Sequence, residues 1–144
     1  MTNAPQTASE RVLAETGLLS WLGVFIESES EGRAVLGLPH REELTNPHGD
    51  TLHGGVLATL LDNAAGTALR TVLKDPETAL YATTEMNLSY LRPATGDLRA
   101  EAQVRRRGRS LVVIEVDLNS EREPDEWTTV AVGRASYYVD ESRD

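Results

Sequence analysis

A glycine pair and a single carboxylate mark where this chain could do chemistry. His53-Gly54-Gly55 closes an irregular loop and opens a stretch, Gly54 to Leu69, whose one charged residue is Asp62. Free backbone N–H groups at a helix start attract negative charge, and glycine lets a ligand come close to them. Such a cradle suits the oxygen of a polarised carbonyl. A lone carboxylate among apolar residues is costly to bury unless it is paired or used. The helical neighbours of Asp62 are Ala58, Thr59, Ala65 and Gly66, all small, so a ligand or another chain is expected to come close on that side. The combination suggests acyl transfer, with Asp62 as general base or nucleophile. Asp62 lies two helical turns beyond the glycines. It can act on a carbonyl held there only if the substrate or a partner subunit bridges the gap.

Other reactive constellations are weaker. There is no Gly-x-Ser-x-Gly elbow, phosphate loop or Gly-x-Gly-x-x-Gly, and no cysteine to supply a thiolate or a disulfide. A metal site from His48, Asp50, His53 and Asp62 has competent ligands, but their spacing matches no helical or hairpin pattern; no metal is expected. The net charge of −9 argues against a nucleic-acid surface. No apolar run reaches membrane-spanning length, and residues 1–6 have neither a basic region nor an apolar signal core, so a cytoplasmic protein is expected.

The elements that must position these residues are legible in outline. At 144 residues the chain is read as one domain over 1–144, with residues 1–6 expected to be disordered. Thr7-Ala8-Ser9-Glu10 has capping-box spacing, ahead of a short helix expected to end at Gly17. Residues 21–30 and 33–38 read as strands joined by Glu31-Gly32. Pro39 to Leu52 has no period and is a long loop for so small a domain. The stretch from Gly54 is apolar nearly all round, which predicts a helix in the core. Alternation then predicts strands at 80–91, 97–105, 111–118 and 127–139, with a charged loop at Asn119–Glu126. In 80–91, Leu80, Ala82, Met86, Leu88 and Tyr90 share the apolar phase, against Thr83, Glu85, Asn87 and Ser89. Consecutive alternating strands imply an antiparallel sheet with one wet face and the long helix on the other, an α+β domain.

Several quoted stretches together resemble a known family. They are Asn46-Pro47-His48-Gly49, His53-Gly54-Gly55, Asp62 nine residues after that histidine, Glu85 through Pro93, and the Arg107-Gly108-Arg109 turn. From about residue 15 onward the chain resembles the PaaI-like branch of the hotdog-fold acyl-CoA thioesterases. The resemblance implies a long central helix wrapped by a curved antiparallel sheet, and a homodimer or homotetramer with active sites at the subunit interface. It implies hydrolysis of an acyl-CoA to free acid and coenzyme A, without a cofactor. Gly54 N–H would polarise the thioester carbonyl, and Asp62 of the partner subunit would activate water or attack directly. Asn46 and His53 would position thioester and water, with Thr83 facing the carboxylate. Gly55, His48 and Thr84 would contact substrate.

Arginine forks match phosphate geometry, so Arg105, Arg107 and Arg109 either meet the coenzyme A phosphates or form a solvated hairpin end. Relatives carry the loop asparagine six residues before the histidine. Asn46 is seven before His53, which leaves His48 or Asp50 as alternatives for its role. Trp21, Phe25, Tyr81, Met86 and Tyr90 are candidates to line an acyl pocket, and both aromatic and medium aliphatic acyl groups fit. A hotdog dehydratase or hydratase and a non-catalytic acyl-CoA-binding module are the competing readings; Asp62 on the helix favours hydrolysis.

Lys74 is the only lysine, beside thirteen arginines, and this acidic, lysine-poor composition suits either a salt-adapted protein or ordinary solubility. Salt screens like charges within a Debye length of about 10 Å at 0.1 M. If the surface is salt-adapted, the melting temperature is higher in molar sodium chloride than at low salt. An unchanged or lower midpoint leaves plain solubility charge.

Overall fold

The computed structural model describes residues 7–142. Two short helices, α1 (Ala8–Glu15) and α2 (Gly17–Leu22), precede strands β1 (Phe25–Ser30) and β2 (Arg33–Leu38). A long helix, α3 (Gly54–Arg70), follows the loop. Four more strands complete the chain: β3 (Leu80–Tyr90), β4 (Leu98–Arg107), β5 (Leu111–Glu123) and β6 (Glu126–Asp140). The strands form one antiparallel sheet in the order β1-β2-β4-β5-β6-β3.

The α3 helix packs across one face of that sheet, chiefly on β2, β4, β5 and β6. Leu57, Leu60, Leu61, Ala64, Ala68 and Leu69 are buried there. Opposite them lie Leu36, Leu38, Ala100, Ile114, Val116 and Leu118, equally buried. Each large side chain removed from water contributes about 1.5–3 kcal/mol, so this layer carries most of the stability. The outward residues of β4 and β5, such as Glu101, Arg105, Glu115 and Asp117, face water. The α+β architecture matches the sequence expectation.

Thr7 caps α1 through a complete capping box with Glu10. The chain departs from expectation next. Residues 21–30 are not one strand, and the first helix does not end at Gly17. Thr16 breaks the helix, and Gly17–Leu22 forms a second one that buries Leu19 and Leu22 at i, i+3 spacing. Gly23 ends it at φ 81°, a left-handed cap that glycine adopts without strain. Strand β1 therefore starts only at Phe25. The Asn119–Glu126 loop is also shorter than expected: β5 runs to Glu123 and β6 starts at Glu126. Paired charged side chains of an exposed hairpin point into water, so charge alone did not mark the strand end. Residues 1–6, expected to be disordered, lie outside the described residues.

Strand β3 forms one edge of the sheet and is bonded only to β6 among the described strands. Its register slips between Thr83 and Glu85. Such a bulge reverses the facing of everything beyond it. Tyr81 and Thr83 pair with the buried Val139 and Tyr137 and face α3; beyond the bulge Met86 and Tyr90, paired with Ala135 and Ala131, do so. Leu80 and Ala82 are therefore on the outer face, not in phase with Met86 and Tyr90 as simple alternation predicts.

Glu29, on β1, has its carboxyl held above the usual carboxylate range. Burial is the main cause; Thr7 and Arg70 pull down, and Glu10 adds repulsion. A raised carboxyl favours the protonated form in the fold. The cost of its charge is therefore present above the raised value and disappears as pH falls through it. Glu29→Gln should melt higher than the parent at pH 7, and the gap should close at low pH. Equal midpoints at pH 7 would contradict this.

Candidate active site

The loop from Pro39 to Leu52 is tied down before it meets α3. Asn46 N–H donates to Thr51 O (2.9 Å), Leu52 N–H to Ala94 O (2.8 Å) and His53 N–H to Leu44 O (2.8 Å). His53 is the N-cap: its Nδ1 accepts the Gly55 N–H at 2.9 Å, and its backbone O accepts the Val56 N–H at 2.9 Å. With Nδ1 accepting, the ring offers Nε2 to a ligand. Two early N–H groups of α3 are thus satisfied. Gly54 N–H has no acceptor among the described residues.

Gly54 is also a point of close approach. Tyr90 reaches over from β3 and donates its hydroxyl to Gly54 O at 2.7 Å. A Cβ at Gly54 would sit 3.0 Å from that hydroxyl oxygen. Asn46, Gly54, Leu57, Tyr90 and Pro93 line a cleft of about 390 Å³. The Asn46 side chain makes no hydrogen bond to any described residue, so its amide is free to meet a ligand there. His48 and Asp50 stand exposed at the loop tip and do not line this cleft. Asn46 reaches the cleft despite the longer loop.

Asp62 belongs to a different cleft, of about 380 Å³, lined also by Val12, Leu18, Leu19, Thr59 and Met86. No residue lines both. Asp62 is half-buried rather than enclosed. Its Oδ1 accepts the Thr83 hydroxyl at 2.7 Å and the Tyr137 hydroxyl at 2.8 Å. Tyr137 is pushed above the ordinary tyrosine range, first by burial and then by the Asp62 charge beside it. It remains a donor wherever Asp62 is ionised. Asp62 lies eight positions after Gly54, a rise of about 12 Å and a turn of about 80° around the helix.

The remaining expected residues divide. Gly55 spends its N–H on His53, and Thr84, the bulge residue, donates to Ser136 O at 3.1 Å. Arg105 pairs with Glu115 at 2.7 Å and Arg107 with Glu141, whereas Arg109 is exposed without an ion pair among the described residues. Of the candidate acyl-lining residues, Met86 and Tyr90 line the two clefts. Phe25 covers Gly37 across the β1–β2 pair, Trp21 stacks under Arg41, and Tyr81 accepts from Arg70 Nε. Tyr137 is absent from the sequence-based set. A tyrosine in an alternating strand carries no mark of the partner it will meet 75 residues away.

A long helix laid across one face of a single antiparallel sheet is the hotdog architecture. Comparison with known proteins places it. The thioesterase superfamily model matches residues 49–125. The chain is 46% identical over 130 residues to a Halobacterium salinarum protein that bears an esterase name, covering 85% of this chain and 84% of that one. It is 33% identical over 126 residues to human acyl-coenzyme A thioesterase 13, covering 83% and 87%. A thioesterase family protein of Silicibacter pomeroyi superposes with a TM-score of 0.84 at 29% identity, over 91% and 94% of the two chains. The E. coli PaaI protein of the phenylacetic acid degradation operon shares the fold, with a TM-score of 0.79 at 24% identity over 94% and 92%. The chain belongs to the thioesterase superfamily, with a PaaI-like hotdog fold, and is a thioester hydrolase.

Proposed function

We propose that the protein hydrolyses an acyl-CoA thioester to the free acid and coenzyme A at sites shared between two subunits. One observation carries this reading: the free Gly54 N–H and the Asp62 carboxylate lie in separate clefts of one chain, and each is tied to the open edge strand, Gly54 through Tyr90 and Asp62 through Thr83. An exposed strand edge is a template for pairing. If two copies pair β3 antiparallel about a two-fold axis near Met86, Thr83 of one strand comes close to Tyr90 of the other. That brings the Asp62 cleft of one subunit to the Gly54 cleft of its partner, twice per dimer. Two such dimers would make a homotetramer.

In the shared site the thioester carbonyl oxygen accepts from Gly54 N–H and the Asn46 amide, and His53, the N-cap of α3, helps position thioester and water. Charge developing on that oxygen meets donors that are already oriented. Asp62 of the partner subunit acts on the carbonyl carbon from the other side. As general base it takes a proton from water as the water oxygen bonds to carbon. As nucleophile its own oxygen bonds to carbon, and water then releases the acid. In either route the C–S bond breaks and the sulfur leaves with coenzyme A. Val12, Leu18, Leu19 and Met86 give the Asp62 cleft an apolar wall suited to the acyl group. Arg109, exposed and without an ion pair among the described residues, is free to meet a coenzyme A phosphate, whereas Arg105 and Arg107 would first have to leave Glu115 and Glu141. Human acyl-coenzyme A thioesterase 13 supports acyl-CoA as the substrate class. The reaction as drawn needs no metal or redox cofactor, and a cytoplasmic setting suits this substrate.

The test is thiol release across a panel of aromatic and aliphatic acyl-CoA esters, with Asp62→Asn beside the parent. The swap is nearly isosteric and removes basicity and charge. A positioned base contributes typically about 10²–10⁴-fold, so kcat should fall at least that far with KM little changed and the melting temperature kept. A variant that melts normally and keeps near-parental kcat would move Asp62 to a structural role and overturn the mechanism.

A further inference from the structure

The reaction above uses Asp62 but gives Tyr137 no part. Tyr137 is 5% exposed and stands opposite Thr83 in the β3–β6 register. Its hydroxyl lies 2.8 Å from Asp62 Oδ1 and 2.8 Å from the Asp62 backbone O, so its one hydrogen is shared between them. Thr83 donates to the same Oδ1 at 2.7 Å. No described donor reaches Oδ2. One carboxylate oxygen is therefore held by two hydroxyls, and the other is left for chemistry.

The helix is shaped to admit the tyrosine. Gly66 follows Asp62 by one turn, and a Cβ there would lie 3.1 Å from the Tyr137 hydroxyl oxygen, closer than an ordinary contact. The same Cβ would lie 3.3 Å from Arg70 Nη2, the far end of a flexible side chain, so the tyrosine hydroxyl is the closer constraint at this buried mid-helix position, where alanine is the better helix former. The tyrosine ring is fixed from behind by Tyr81, whose centroid is 6.5 Å away, and Tyr81 is itself held by Arg70.

We propose that Tyr137 is a positioning residue for the hydrolysis: with Thr83 it pins Asp62 Oδ1, so that Oδ2 alone is presented to the water or the thioester carbon. The proposal rests on the function proposed above. A carboxylate otherwise turns freely about its last bond, whose torsional well is broad. Fixing it removes the off-line orientations before reaction. Tyr137 acts as a donor throughout and transfers no proton, since its phenol is held protonated beside Asp62.

The experiment compares three single variants in the full-length protein by kcat, KM and melting temperature. Tyr137→Phe keeps the ring and removes the hydroxyl. Residues that orient a reacting group typically contribute about 10–100-fold, and kcat should fall by that factor with KM within about twofold. Gly66→Ala improves helix propensity while crowding the hydroxyl, so it should lose kcat without melting lower. The double variant should be no slower than Tyr137→Phe alone, a non-additivity that a merely structural tyrosine would not show. If Tyr137→Phe melts far lower, Gly66→Ala decides: a kcat loss at full stability supports positioning, and an unchanged kcat overturns it. Asp62→Asn separates the two claims. If Asp62→Asn is inactive while Tyr137→Phe and Gly66→Ala keep parental kcat, the role of Tyr137 is overturned and the function stands. If Asp62→Asn keeps near-parental kcat, the Asp62 mechanism fails and the role of Tyr137 with it; if the parent releases thiol from no acyl-CoA of the panel, the function itself fails.

Discussion

A straight helix cannot bring its first residue to its ninth. The rise of about 12 Å between Gly54 and Asp62 keeps the free N–H and the carboxylate apart in any single chain. Nothing in α3 bends to shorten it, because the helix is a continuous run pinned by buried leucines on the sheet. The fold therefore holds the two proposed half-sites at a separation that one thioester carbonyl cannot span.

Strand β3 reconciles those half-sites. It is one free edge of the sheet, and it touches both of them through side chains near its two ends, Thr83 and Tyr90. The bulge at Thr84 is what permits this. Without it, Thr83 and Tyr90 would face opposite sides of the sheet, and only one could reach α3. Local disruption of the ladder thus does the positioning, as bulges often do beside active sites. The same strand exposes Met86 and Tyr90, 40% and 54% accessible in the single chain, along the edge where a second copy would lie.

How much of this the sequence disclosed depended on whether the signal was local. The α3 helix was legible because it is apolar on nearly every face. The capping box at Thr7 and the later strands were legible because their patterns close within a few residues. The α2 helix was not: Trp21 through Ile26 is an apolar run interrupted only by Gly23, and such a run has no period to tell helix from strand. The bulge at Thr84 was hidden because Leu80, Ala82, Met86 and Tyr90 keep even spacing across it. Thr83 entered the candidate site through family resemblance, not through alternation. The pairing of Arg107 with Glu141 and the contact of Tyr137 with Asp62 join residues 34 and 75 positions apart, which no local pattern encodes.

The central claim is that Gly54 of one subunit works with Asp62 of the other, and subunit mixing addresses it directly. Gly54→Pro removes the N–H at a first helical position whose backbone suits proline, after a residue already extended at φ −60°, ψ 136°; its Cβ would also press on Tyr90, so a parental melting temperature is the control. Co-expressed and co-purified with Asp62→Asn, it forms mixed dimers in which one site carries both defects and the other carries neither. The account predicts that each variant alone is inactive and that the mixture regains roughly a quarter of parental thiol release, since half the dimers are mixed and each holds one intact site of two. Mixed dimers verified by mass that remain inactive would contradict it, as would a Gly54→Pro protein that hydrolyses thioesters at the parental rate.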